Sequence, residues 1–157
     1  MSSSSGRQAA EAWLRLYGWS PERDIGAEAD ELIRKAREQA AEHGASWSPS
    51  EHAYSFVRNY GGLKILLHES PENHFFADPG FPYKGGAEEI EELSREIGEK
   101  VFPLGYDSYD GAVMVADEKG RFFVVHHTGN YYLADDSLQA LWNFKKSDVQ
   151  DAEDFYV

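Results

Sequence analysis

The sequence predicts an α+β domain organised around a central β-hairpin, and three observations carry that reading. The stretch Gly111–His127, GAVMVADEKGRFFVVHH, holds two apolar runs, Ala112–Ala116 and Phe122–Val125, on either side of the polar connection Asp117-Glu118-Lys119-Gly120. Val and Phe suit a pleated, packed surface, and a short connection ending in Gly suits a hairpin with an irregular turn. Apolar residues also recur at helical spacing in several separate segments. The length of 157 residues, with 41% hydrophobic and 14% aromatic residues, fits one globular domain with a real core. Both hairpin runs are apolar on both faces: Val113 and Val115 point one way, and Ala112, Met114 and Ala116 the other. A strand with one face in water would alternate, so the hairpin is expected at the centre of a sheet.

The other elements follow in order. Met1–Arg7 has no apolar core of the kind a signal peptide carries, and residues 1–8 are expected to be disordered. Ala9, Ala12, Trp13 and Leu16 mark one face of a short helix stopped by Gly18, with Trp13 and Trp19 expected as packing anchors. Ala29, Leu32, Ile33, Ala36 and Ala40 mark a second helix over Glu28–His43, with Asp30–Arg34 and Glu31–Lys35 as acid-before-base pairs on its outer face. Ser48-Pro49-Ser50-Glu51 reads as a capping box with proline at the first helical position. The helix it opens turns Ala53, Phe56, Val57 and Tyr60 inward and ends at Gly61-Gly62.

Leu63–His68 then reads as a strand, with Phe75-Phe76 as its short partner inside the Pro/Gly-punctuated stretch Ser70–Gly86. Long loops often carry function, which brings in Phe81, Tyr83 and Lys84 as candidates. Ala87–Gly98 is a helix with Ile90, Leu93 and Ile97 inward and a glutamate-rich outer face. Val101–Tyr106 reads as a strand that Pro103 makes an edge or bulged one. Tyr131-Tyr132-Leu133 is a further strand, and Asp135-Asp136-Ser137 caps a helix over Leu138–Phe144 with Leu138, Leu141 and Trp142 inward. The domain spans residues 9–146, and residues 147–157 are expected as an acidic tail without pattern.

Charge and composition exclude several function classes. Against 15 Lys+Arg stand 28 Asp+Glu, a formal charge of −13, which disfavours direct binding to nucleic acid or anionic lipid and favours a basic partner. Solubility alone also accounts for such a balance. Without cysteine there is no disulfide framework, thiolate nucleophile or cysteine-ligated zinc, which fits a cytoplasmic protein. No apolar run approaches membrane-spanning length.

The sequence lacks the glycine-rich phosphate loops, the nucleophile elbow and the zinc helix. Asp107–Gly111 is acidic, but Tyr109 sits where a calcium loop needs a second carboxylate, and the Glu at loop position twelve is missing. His126 and His127 are adjacent, and on a strand they would point to opposite faces, so they are expected to mark a strand end and not to share an ion. No enzyme activity, cofactor or metal is expected. A hydrolase working through scattered carboxylates is the remaining catalytic alternative.

Several of these segments together resemble a known family. Ala12-Trp13-Leu14 with Gly18-Trp19-Ser20-Pro21-Glu22-Arg23, then Tyr60-Gly61-Gly62-Leu63, Val101-Phe102-Pro103-Leu104-Gly105, Gly111–Val125 and Ser137–Trp142 follow one another as in the SUKH superfamily. The resemblance is nearest to its third subfamily of bacterial immunity proteins and covers about Glu11 to Trp142. It implies helices packed on a mostly antiparallel sheet. It also implies an intracellular, non-catalytic antidote to a polymorphic toxin, commonly a nuclease or nucleic-acid deaminase. The superfamily includes regulatory and interaction domains too, so a domain that binds an endogenous protein is the alternative.

A toxin that engages phosphates is basic, and an acidic inhibitor with buried aromatic anchors would complement it. Tyr106, Asp107, Tyr109 and Asp110 mix the two residue types in one turn, as do Tyr131 and Tyr132 with Asp135 and Asp136. These are the expected toxin contacts, with Glu88, Glu89 and Glu92 as a rim. Ordinary strand packing for the tyrosines and helix-start electrostatics for the glutamates are the structural alternatives.

Overall fold

The structure, a computed structural model, describes residues 4–157. Its helices are α1 (Ser4–Arg15), α2 (Ala27–Glu42), α3 (Glu51–Tyr60), α4 (Gly86–Ile97) and α5 (Ser137–Lys146). Its strands are β1 (Lys64–Glu69), β2 (Glu72–Phe76), β3 (Val101–Asp107), β4 (Val113–Asp117), β5 (Phe122–His126), β6 (Gly129–Ala134) and β7 (Gln150–Asp151), and a short 3-10 helix covers Ala152–Phe155. The strands lie side by side in chain order, every neighbour antiparallel. The fold is therefore an α+β single sheet with helices on both faces. No described helix is long and apolar enough to cross a membrane.

The hairpin β4–β5 sits at the centre, as its two-sided apolar pattern requires. Every residue of β4 is buried, and so are Phe122 to Val125 of β5. On one face Phe122 meets Phe56 of α3 and Phe75 meets Phe144 of α5. On the other, Phe123 meets Phe155 of the 3-10 helix, and the chain then runs along α4, where Val157 N donates to Glu96 O at 2.8 Å. Ala53, Phe56, Val57 and Tyr60 of α3 are all buried, as are Ile90, Leu93 and Ile97 of α4, so the helical periodicity identified both inner faces.

Several expectations change. The helix predicted to open near Ala9 begins at Ser4, with Met1–Ser3 outside the described residues. Its buried face is Ala10, Trp13 and Leu14, while Leu16 is 76% exposed. Trp13 sets that rotation: its Nε1 donates to Leu66 O at 3.0 Å and its ring lies 5.6 Å from Trp142. The cap of α3 is Ser50 and not Ser48, with Ser50 Oγ accepting from Ala53 N at 3.2 Å. Asp30 accepts from Tyr54 Oη, leaving Arg34 to pair with Glu31 and Glu38.

β3 lies between β2 and β4, but β2 pairs with it only at Tyr106 and Asp107, so Pro103 has no β2 partner, and on the β4 side a register shift between Pro103 and Gly105 gives the expected bulge. Residues 147–157 carry structure: β7 pairs with β6, and Ala152 is fully buried. A run of acids hid that, because Ala152 and Phe155 are too sparse to form a period.

Candidate functional site

Two buried aspartates shape the two ends of the central strands. At the end of β3, Asp107 is 4% exposed, and its Oδ1 accepts from the backbone N of Tyr109 at 3.0 Å, Asp110 at 2.6 Å and Gly111 at 3.2 Å. Burial pushes its carboxyl above the usual range, against the pull of these N–H donors. At the end of β4, Asp117 is fully buried; it accepts from Lys119 N and Arg121 N and pairs with Arg121 Nε at 2.6 Å. Each aspartate folds the turn that follows it, which is how Asx turns work.

The first of these turns forms one wall of a groove of about 360 Å³ at that end of the sheet. Its floor is apolar, from Leu67, Ala112 and Val124, and Phe144 and Tyr131 line its sides. Tyr109, Asp110, His126, Thr128 and Val149 also line it. Tyr109 is 61% and Val149 40% exposed, two of the few large apolar side chains left in water.

The histidine pair sits at the mouth. β5 ends at His126, which pairs with Gly129 across the two-residue turn His127-Thr128. Strand alternation therefore stops before His127, and the two rings lie side by side, 4.0 Å between centroids and tilted by 35°. The expectation that they point apart fails for that reason, while the expectation of a strand end holds. His126 Nε2 lies 3.2 Å from Asp110 Oδ2, and Nδ1 lies 2.7 Å from Thr128 Oγ1, which is 3.0 Å from Tyr131 Oη.

The expected contact residues divide between several places. Asp107, Tyr109, Asp110 and Tyr131 line the groove, although the carboxylate of Asp107 serves the turn. Tyr106 points to the opposite face of the sheet, its ring 5.8 Å from Phe76. Tyr132 packs on Phe155 at 4.5 Å and donates to Asp135 at 2.7 Å; burial, then Asp135, pushes its hydroxyl well up. Asp136 caps α5 by accepting from Gln139 N. Glu88 and Glu92 are exposed on α4, but Glu89 accepts from Tyr83 Oη at 2.8 Å.

In the long loop, Phe81 is buried against Trp47 and His43, and Lys84 is exposed. Sequence reasoning missed Val149, Thr128 and Phe144 as groove residues. The only local signal was Val149, a lone apolar residue in an acidic stretch.

The chain matches the family described as SUKH-3 immunity protein over residues 7–147. No curated protein and no solved structure matches it. The matched span holds β1–β6 and reaches past the end of α5, leaving β7 and the 3-10 helix outside. With all but the last elements of the sheet and its helices inside the match, the chain belongs to the SUKH-3 immunity protein family.

Proposed function

We propose that this protein neutralises a cognate, basic protein toxin in the cytoplasm, a nuclease or nucleic-acid deaminase, by docking it over the groove beside the Asp107–Gly111 turn. The observation that carries this reading is the rim: exposed Tyr109 and Val149 stand beside Asp110 around an apolar floor. Binding energy at protein interfaces concentrates in aromatic anchors that leave water, and charge around them governs encounter. The −13 balance of the whole chain adds a long-range attraction for a surface built to hold phosphates. Membership in an immunity family supports a toxin as the partner. The inhibitor acts by occupying that basic surface and needs no chemistry of its own.

The test is to capture the toxin by pull-down from the native cell, then to measure protection and binding kinetics with it. Tyr109→Ala should weaken the complex by about 30-fold, the loss typical of an interface anchor. Asp110→Ala should slow association and flatten its dependence on salt. If both variants protect cells and bind as the parent does, the groove is not the docking face. Glu88→Ala and Glu92→Ala, away from the groove on α4, should leave the affinity unchanged, and a loss there would place the interface on α4.

A further inference from the structure

The geometry at the mouth of the groove points to a second property, a surface site for a divalent cation of the zinc class, formed by Asp110, His126 and His127. It is independent of the toxin reading. The three residues each offer a ligand atom, and these atoms lie within 4.8 Å of one another. Two imidazoles and one carboxylate are a donor set suited to zinc, cobalt or nickel, and too nitrogen-rich for magnesium or calcium.

The spacing suits an ion. Zinc bonds of 2.0–2.1 Å in a tetrahedron put neighbouring ligand atoms about 3.3 Å apart. His126 Nε2 and Asp110 Oδ2 are 3.2 Å apart already. His127 is exposed in the turn, so a rotation of its side chain closes the remaining distance without disturbing the core. Water or a residue of a partner takes the fourth position.

The supporting contacts belong to the same site. Asp110 is held by its own N–H on Asp107 Oδ1 at 2.6 Å. His126 Nδ1 has partners for both tautomers: Thr128 N donates to it at 3.1 Å, and Thr128 Oγ1 stands at 2.7 Å to accept from it. Metal on Nε2 places the ring proton on Nδ1, which then donates to Thr128 Oγ1, while Thr128 N–H gives up its bond to the ring and turns to water. An oxygen behind a ligating histidine is the arrangement that orients the ring and strengthens the ligand. The tight two-residue turn of the β5–β6 hairpin brings the two histidines to one point, against the alternation of an ordinary strand.

The test uses the full chain and the metals alone. Calorimetric titration with Zn²⁺ should show one site per chain, and Co²⁺ should give visible absorption of low-coordinate cobalt with imidazole ligands. His126→Ala and His127→Ala should each abolish the site and the cobalt spectrum. Thr128→Val, which removes the oxygen behind His126 but no ligand, should weaken binding about 10- to 100-fold. His68→Ala, on the groove wall but outside the cluster, should change nothing. Circular dichroism of each variant checks that it is folded, and His127 is exposed enough for its replacement to be tolerated. One-site binding that survives His127→Ala in folded protein, or is lost with His68→Ala instead, overturns the assignment, as does the absence of binding to the parent chain.

Discussion

Asp107 and Asp110 face the same turn with opposite assignments: Asp107 Oδ1 accepts the N–H of Asp110 at 2.6 Å, and the carboxylate of Asp110 is turned out toward His126. One aspartate builds the turn and the other is presented by it. Asp107→Ala removes a shared acceptor of three backbone N–H groups; Tyr109 N keeps Asn73 Oδ1 and Gly111 N keeps the Asp107 carbonyl, so Asp110 N is the one left unpaired, and the change should cost about 1–3 kcal/mol in urea unfolding. Asp107→Asn keeps an acceptor oxygen and should recover much of that. Asp110→Ala should stay within about 0.5 kcal/mol of the parent. Equal losses for the two alanine variants would contradict this division.

Asp117 and Arg121 form the matching device at the far end of the hairpin, but there the carboxylate is fully buried and charge-paired. Arg121 also lies over the rings of Phe123 and Phe155, at 5.6 and 5.7 Å. Removing one partner of a buried pair strands the other, so Asp117→Ala should cost about 3–5 kcal/mol, more than Asp107→Ala. The same urea series measures both. An Asp117→Ala loss below that of Asp107→Ala would mean that Arg121 finds water in its place.

The sequence made the centre of this fold legible and its margins less so, for physical reasons. Ala112–Ala116 and Phe122–Val125 announce a central hairpin because burial on both faces leaves no polar alternation. α3 and α4 were readable because their inner residues keep a strict helical period. Asp107 and Asp117 look like ordinary polar turn residues in a sequence, and nothing local tells a solvated carboxylate from one consumed by backbone N–H groups. The groove draws on β1, the β3–β4 turn, β5, β6 and the end of α5, so its residues share no spacing. His127 escapes the strand rule because β5 ends one residue before it.

Tyr60 should make the fold sensitive to alkali. Its ring stacks on Phe56 at 4.6 Å and Trp19 at 5.8 Å, and its hydroxyl lies 3.3 Å from Ser137 Oγ. Burial pushes the hydroxyl from the ordinary value of 10.0 up to about 12. The unfolded chain releases this proton near pH 10 and the folded chain holds it to about 12. The contribution, on the order of 3 kcal/mol, is therefore complete below pH 10 and lost as pH rises through about 12. Tyr83 and Tyr132 are also raised, by burial first and then by Glu89 and Asp135, so the parent loses stability over several steps. Tyr60→Phe keeps the rings and removes one step. Urea midpoints of the two proteins should converge between pH 10 and 12, and a constant gap would place the effect in packing alone.

The C-terminal residues outside the family match close the sheet. Phe155 covers Tyr132 at 4.5 Å and Phe123 at 5.6 Å, and Ala152 beside it is fully buried. Phe155→Ala should cost about 2 kcal/mol, the burial of most of one aromatic side chain and its ring contacts. Deleting residues 150–157 goes further, because β6 then becomes an edge with Tyr131 and Tyr132 in an open ladder. β7 pairs with β6 only at Asp151 and Gln150, a short acidic edge strand that invites no further strand, whereas a bare aromatic edge recruits another chain. Truncated protein should therefore self-associate at concentrations where Phe155→Ala, which keeps β7, stays monodisperse in light scattering. Identical scattering from the two would show that β7 adds nothing to edge protection beyond the packing of Phe155.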